Sequence, residues 1–315
     1  MDIGKIREPP LAGNHVGHAP SIWKNEAIQI VGLFTATLFF LAGCALTPRT
    51  ENGPPELEMT PPETIISGKT GQPVSFDAML ADLLTAAVVY VGEKHTATGH
   101  HAVQLRVIRA LHRQNPRLAV AMEMFDRSYQ PVLDRWSAGQ LDEDGFLRRT
   151  HWYANWRFDY ALYRDILEYI RSHQVRLVAM NLPFNIPPKI RVGGIEHLSP
   201  YEKGFLPAQV DTTFAAHREF AQKIFSMHDF RTGAKFDDFY LAQCVWEEVM
   251  AESVVEITGA DHVVVLAGNG HIQYRYGIPE RAFKRNGLPY RTIYQASPGE
   301  EVDPSIADYI FVPSR

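Results

Sequence analysis

At 315 residues, 45% hydrophobic and 21% charged, the chain has an ordinary globular composition and the length for one large domain or two small ones. A net charge of −5, with no basic run, sets nucleic-acid binding aside. The two cysteines, Cys44 and Cys244, are too few for a disulfide framework.

The first legible element is Ala27 to Leu41, apolar apart from Gln29 and two threonines, preceded by Lys24 and followed by Leu-Ala-Gly-Cys44. A basic flank, a short apolar region and small residues before a cleavage point form a secretory signal. The run is shorter than the ~20 residues a spanning helix needs. Leu41 to Cys44 resembles the lipobox of bacterial lipoproteins, which implies that Cys44 is lipidated and begins the mature protein. The plainer reading is an N-terminal anchor with an incidental cysteine. Small residues and a cysteine falling where processing needs them favour the lipobox. Residues 1–44 are thus a prefix and lipoprotein signal, with an unusually long stretch before Lys24 that leaves the true start codon open. Ala45, where an aspartate would resemble a retention signal for the inner membrane, favours the outer membrane, facing the periplasm, in a cell that has one. Thr47 to Gln72 is rich in Pro, Gly, Glu and Thr, so residues 45–75 read as a flexible tether and 76–315 as the folded domain.

Strands are expected at Ala86–Gly92, Leu118–Glu123, Val175–Asn181, His262–Gly268, Tyr290–Gln295 and Tyr309–Val312. These are continuous apolar runs, as in strands covered on both faces of a parallel sheet. Helical periodicity marks His101–Arg113, Tyr160–His173 and Phe236–Ile257, the last apolar on much of its circumference and so buried. Strand alternating with helix gives an α/β fold, a mostly parallel sheet with helices on both faces. Two helical insertions interrupt it, Asp126–Phe158 and Leu182–Met227, the second containing a helix over Pro207–Met227. His100, His101 and His112 read as part of a solvated helix face. Cys244, in the buried helix, reads as a small hydrophobe.

Polar residues collect where the strands end. Gly92-x-x-His95 and Gly268-x-x-His271 repeat one pattern, and Glu93, Glu123, Asn181 and Asn269 sit at strand ends beside them. Open α/β sheets bind ligands outside the carboxyl ends of their strands. Each residue alone has a bland explanation as a turn or cap. Glu93, His95, Glu123 and His271 together do not, because buried charge is costly unless paired or used. Two chemistries suit the four: ligation of a divalent metal such as Mn or Zn with an open position for water, or metal-free acid–base catalysis. Their spacing does not choose between these.

The segments VGEKHT, AVAMEMF, LVAMNLP, AQCVWEEVMA and LAGNGHIQYRYGIPER resemble the ChaN-type haem-binding lipoproteins, of the superfamily that includes Tiki/TraB proteases and erythromycin esterases. The likeness spans Ala86 to Arg281. It implies an α/β domain that binds haem for bacterial haem and iron uptake, as a homodimer holding two haems face to face and serving a transport or receptor system. It also implies a tyrosine as iron ligand, with a histidine near the propionates. The candidates on this chain are Tyr274, Tyr276 and Tyr163 for the iron, and His271 and His95 beside it. Each tyrosine also has a plainer reading as packed aromatic. Gln243 and Glu247, four apart, share a helix face that the resemblance places near the cleft. The rival is a peptide or ester hydrolase using Glu93, His95, Glu123 and His271, with or without a divalent metal. A weaker third is an adaptor that only docks a transporter.

Overall fold

The computed structural model describes residues 63–227, 235–257 and 262–314. The chain opens with β1 (Thr64–Ser67), β2 (Pro73–Val74), α1 (Phe76–Leu83), β3 (Val88–Glu93), α2 (Thr98–Gln114) and β4 (Ala119–Asp126). The first insertion follows as α3 (Gln130–Ser137), α4 (Glu143–Thr150) and α5 (Trp152–Asn155), then α6 (Arg164–Ser172) and β5 (Arg176–Asn181). The second insertion holds α7 (Ile186–Gly193), α8 (Pro200–Lys203) and α9 (Ala215–Met227). Last come α10 (Phe236–Ile257), β6 (Val263–Gly268), α11 (Ile278–Asn286), β7 (Tyr290–Gln295) and β8 (Tyr309–Val312).

The strands form one sheet in the order β2-β1-β8-β7-β3-β6-β4-β5. From β8 to β5 every pairing is parallel, and only β1 runs antiparallel to its neighbours. The expected α/β fold is therefore present. Alternate residues of β3 enter separate cores, as the two-residue strand period requires. Val89 and Val91 join Val107 and Leu111 of α2, Trp136 of α3 and Ile166 of α6. Val88 and Tyr90 join Met250 and Val254 of α10 and Ala282 of α11. With helices over both faces, a central strand has no wet side, so its sequence shows no polar alternation.

Three details differ from the sequence reading. Thr64–Ser67 and Pro73–Val74, inside the stretch read as tether, are strands: β1 pairs with β8 over four positions and turns back through β2. Short edge strands with Pro and Gly nearby carry the composition of a linker, which is why they read as one. The helix expected from Pro207 begins only at Ala215, because Asp211 caps Thr213 and its own N–H is taken by Glu248. His100 and His101 are buried in the first turns of α2, not solvated. Cys44 and the signal lie outside the described residues. Among the described residues no helix is long and apolar enough to cross a membrane.

Candidate functional site

The carboxyl ends of β3, β6 and β4, three neighbouring strands, carry Glu93, Gly268 and Glu123. The paired Gly-x-x-His turns interlock there. A Cβ on Gly92 would stand 2.1 Å from Asn269 Oδ1, and one on Gly268 would stand 3.1 Å from His95 Cε1. Each glycine thus makes room for a side chain of the other turn, the use of a missing Cβ for close approach. Asn269 crosses to donate to the Gln295 carbonyl at 2.8 Å, and Gln295 donates to the Gly92 carbonyl at 2.6 Å. Glu123 lies where β4 slips against β5: between Met122 and Asp126 the chain advances four residues while β5 advances two, from Ala179 to Asn181. An irregularity of this kind re-aims a side chain at a strand end.

Two carboxylates anchor one half of the cluster each. Glu93 is 2% exposed, and its Oε1 accepts from His95 Nδ1 at 2.7 Å and from the Tyr163 hydroxyl at 2.6 Å. His101 Nε2 stands 3.2 Å from Oε2 without the alignment of a hydrogen bond. Burial works against the charged form of Glu93, but His101 and His95 outweigh it and hold the carboxyl near about 2. The His95 ring packs against Trp156 and Phe158, at 4.8 and 5.0 Å between centroids. Burial lowers its basicity, and Glu93 and Glu123 more than restore it.

On the other half, Glu123 accepts from the Gly268 N–H at 2.7 Å and lies 3.6 Å from His271 Nε2. His271 Nδ1 reaches Glu247 Oε1 at 3.3 Å, and Gln243 donates to the same oxygen at 2.7 Å. Glu247 is fully buried and is also approached by His217 at 3.4 Å and Arg281 at 3.3 Å. Burial opposes its charge, and His217, His271 and Arg281 hold it near about 2. His271 is pushed up, the pull of Glu123 and Glu247 exceeding the effect of burial. His217 goes down, since burial and Arg281 outweigh Glu247.

Glu93, His95, Glu123 and His271 are therefore gathered at one edge, but as pairs bonded to neighbours, not as donors aimed at a common point. Among the described residues no group of three or more His, Cys, Asp and Glu is arranged to hold a metal ion. Asn181, the remaining strand-end residue, is structural: it donates to the Glu123 carbonyl and accepts from Trp246 and Leu182. Tyr163 is fully buried with its hydroxyl on Glu93, and burial and that carboxylate push its phenol far up. Tyr274 and Tyr276 are half-buried and stack at 5.5 Å over Phe220. Tyr274 has a left-handed backbone, φ 55°, held from the next residue by Arg275 on Asp308 at 2.5 Å; such strain in a tyrosine is uncommon and collects at functional sites. Cys244 is buried, its thiol pushed up to about 12, and fits the hydrophobe expected.

Sequence reasoning set His101 on a solvated face instead of beside Glu93, and missed His217 and Arg281, whose partner Glu247 is distant in the chain. It also missed the space. A cavity of 190 Å³ adjoins His271, Gln243 and Gln273. A larger one, 990 Å³, opens at the carboxyl ends of β4 and β5, lined by Phe184, Phe205, Tyr129, Tyr201, Arg157 and Lys189 among others.

Residues 79–282 match the family described as haem-binding uptake, Tiki superfamily, ChaN. The fold is similar to a solved structure of ChaN from Campylobacter jejuni, described by its cofacial haem binding, at 21% identity and a TM-score of 0.67, over 80% of this chain and 97% of that one. A mutant erythromycin esterase in its open conformation matches at 16% identity and a TM-score of 0.44, over 80% and 83%. A toxin effector domain from Vibrio vulnificus matches at 16% and 0.42, over 70% of this chain and 36% of that one. No curated protein matches the chain.

Proposed function

The chain belongs to the ChaN haem-binding uptake family of the Tiki superfamily, and from that premise we propose that it binds haem at the carboxyl edge of its sheet and serves haem and iron uptake. Haem asks a protein for apolar walls, an axial donor and cations for its propionates. The 990 Å³ cavity offers aromatic walls in Phe184 and Phe205, phenols in Tyr129 and Tyr201, and the guanidinium of Arg157, while the ammonium of Lys189 is paired with Glu202. Its volume lies at the upper end of the roughly 300–1,000 Å³ of small-molecule sites. That match of size and donors is the observation that carries the reading. When bound, the iron would supply a ferric centre suited to a hard phenolate oxygen. The residues would orient the macrocycle and shield it from water.

The envelope setting rests on the sequence. Cys44 after the apolar run supports a lipid anchor, on the outer membrane facing the periplasm, with residues 45–62 as spacer. A second copy closing over the cavity mouth would give the homodimer the family resemblance implies, and handing haem to a transport or receptor system follows from uptake. Absorbance titration of the purified protein with haemin tests the reading: a saturable ferric spectrum is expected, and a spectrum indistinguishable from free haemin ends it.

One observation favours a second reading. His95, held by Glu93 at 2.7 Å and still partly exposed, has the arrangement of a general base oriented by a carboxylate. That supports metal-free ester or peptide hydrolysis. A metal-assisted form finds no donor group among the described residues.

A further inference from the structure

Helix α2 is the floor of a separate groove, walled by α1 on one side and the start of α6 on the other, with a volume of 510 Å³. Phe76 and Leu80 of α1, Leu105 of α2, and Leu162 and Ile166 on the α6 side make it apolar. Ala102 leaves the middle of the floor low and exposed. The volume falls within the roughly 300–1,000 Å³ of small-molecule sites. We propose that this groove binds a single-chain fatty acid, its carboxyl group at the N-terminus of α2 against His101 and Thr98, and its chain laid along Ala102 and Leu105. The site is independent of the haem reading.

His101 marks the polar end. It lines the groove, is 4% exposed, and neither ring nitrogen has a hydrogen-bond partner among the described residues. A buried polar side chain in that state calls for a partner. Its Nε2 faces the ionised carboxylate of Glu93 at 3.2 Å, so that nitrogen carries the proton and Nδ1 is left for a ligand. A carboxyl group suits Nδ1 in either form: its O–H donates to the neutral ring, and its carboxylate accepts from the charged one. The backbone agrees. α2 is 17 residues long and its N-cap, Ala97, makes no side-chain cap. The first N–H groups and the positive end of the helix therefore stay available to an anion. Thr98, in that first turn, brings its hydroxyl to the same groove.

The surrounding charges limit the head to a single negative charge. Asp77 and Asp165 stand exposed on the two walls, and Glu93 lies behind His101. A phosphate monoester would bring a second charge among these carboxylates, and a fatty acid does not. Arg106 leaves the balance unchanged, because Glu63 holds it at 2.8 Å and its guanidinium lies 4.0 Å from the centre of the Phe76 ring. The far end is bounded by Arg109, whose guanidinium sits over the Tyr169 ring at 5.3 Å. From Thr98 to Arg109 the helix rises roughly 16 Å, the reach of an extended dodecanoate. The head would also be felt at the strand ends. Glu93 accepts from His95 with one oxygen and faces His101 with the other, so it joins the groove to His95.

The test titrates the purified full chain with dodecanoate, kept below micelle-forming concentration, by calorimetry and by NMR of the histidine rings. Saturable binding that shifts the signals of His101 and His95 together is expected. Dodecyltrimethylammonium and dodecyl phosphate, with the same chain and the wrong head charge, should each bind about tenfold more weakly or worse. Ala102→Trp fills the exposed floor without touching the buried cluster, so it should keep the far-UV circular dichroism of the wild type and lose binding. His101→Phe keeps a ring, removes both nitrogens and should cost about tenfold in affinity, the size of one charge-assisted hydrogen bond. Should that variant fail to fold, Ala102→Trp still decides. Dodecanoate binding that survives Ala102→Trp, or a cationic head bound as tightly as the carboxylate, overturns the proposal, as does a wild type that does not saturate. A shift of His101 without His95 overturns the link through Glu93 alone.

Discussion

His95 reaches across to Gly268, the glycine of the other turn, so closely that a Cβ there would stand 3.1 Å from its ring. The reverse contact, Asn269 over Gly92, is tighter at 2.1 Å. The two turns are one structure made twice, each glycine receiving a side chain from the other. Gly92→Ala should therefore force Asn269 off the Gln295 carbonyl. Overpacking of this kind costs about 1–3 kcal/mol, readable as a lower urea midpoint with an unchanged slope. An unshifted midpoint would mean that Asn269 moves aside freely.

Glu247 serves three cations or imidazoles from a fully buried position. Removing its charge leaves Arg281 with Glu248 alone and His271 with Glu123 alone. Breaking a buried pair typically costs about 3–5 kcal/mol, so Glu247→Gln should lose about 3 kcal/mol of that order. Arg148→Ala, which breaks a pair exposed on both sides, should lose nothing measurable in the same denaturation series.

The histidines should split in opposite directions when titrated by NMR. His95 and His271, facing carboxylates, should titrate above their ordinary 6.5. His100 and His217, where burial prevails, should titrate below 6.5. The sign for stability follows. The raised pair contributes fully below pH 6.5 and loses that contribution as pH rises through its folded values. Glu93 works in the other window: its carboxyl falls from 4.5 to about 2, so its contribution is present above 4.5 and is lost as pH drops toward 2. Glu93→Gln should flatten the stability profile between those values, and an equal slope in wild type and variant would show that Glu93 carries none of it.

Much of this was legible in the residues. Continuous valine runs announced β3 and β6 because covered strands need no polar alternation. The doubled Gly-x-x-His announced that the two turns meet, His95 against Gly268 and Asn269 against Gly92, since parallel neighbours bring like ends together. What stayed hidden depends on distance in the chain. His217 and Arg281 reach Glu247 from 30 and 34 residues away, and helix periodicity says nothing of such pairings. The 990 Å³ cavity arises between two insertions, α3–α5 and α7–α8, whose mutual placement no local pattern encodes. Thr64–Ser67 stayed hidden for a third reason: four residues beside the two-residue edge strand β2, inside a stretch rich in Pro, Gly and Thr, carry too short an apolar pattern to stand out.

Anchoring is tested apart from haem. With Cys44 as the acylated residue, Cys44→Ser should leave an unprocessed precursor or release the protein from membranes. Stable anchoring takes more than one chain, so mass spectrometry of the native protein should find multiple acyl groups on Cys44. Unmodified Cys44 in a membrane-bound protein would remove the lipoprotein reading.

The strand-end cluster and the large cavity separate the two functional readings, because no residue of the four lines that cavity. His95 is tied to it through Trp156, whose ring meets Phe184 at 5.8 Å. Replacing His95 by Asn, which keeps a polar group of similar reach but no base, should therefore leave the haemin spectrum of the wild type intact. Any ester or peptide turnover that depends on a base held by Glu93 should fall by about a hundredfold or more in the same variant, the usual contribution of a positioned base. His271→Ala adds a second check, since His271 lines the smaller cavity with Gln243 and Gln273. If it alters the ferric spectrum, haem lies on the His271 side. If His95→Asn and His271→Ala both abolish turnover and neither touches the spectrum, the edge of the sheet carries two separate functions, haem binding between the insertions and proton transfer at the strand ends.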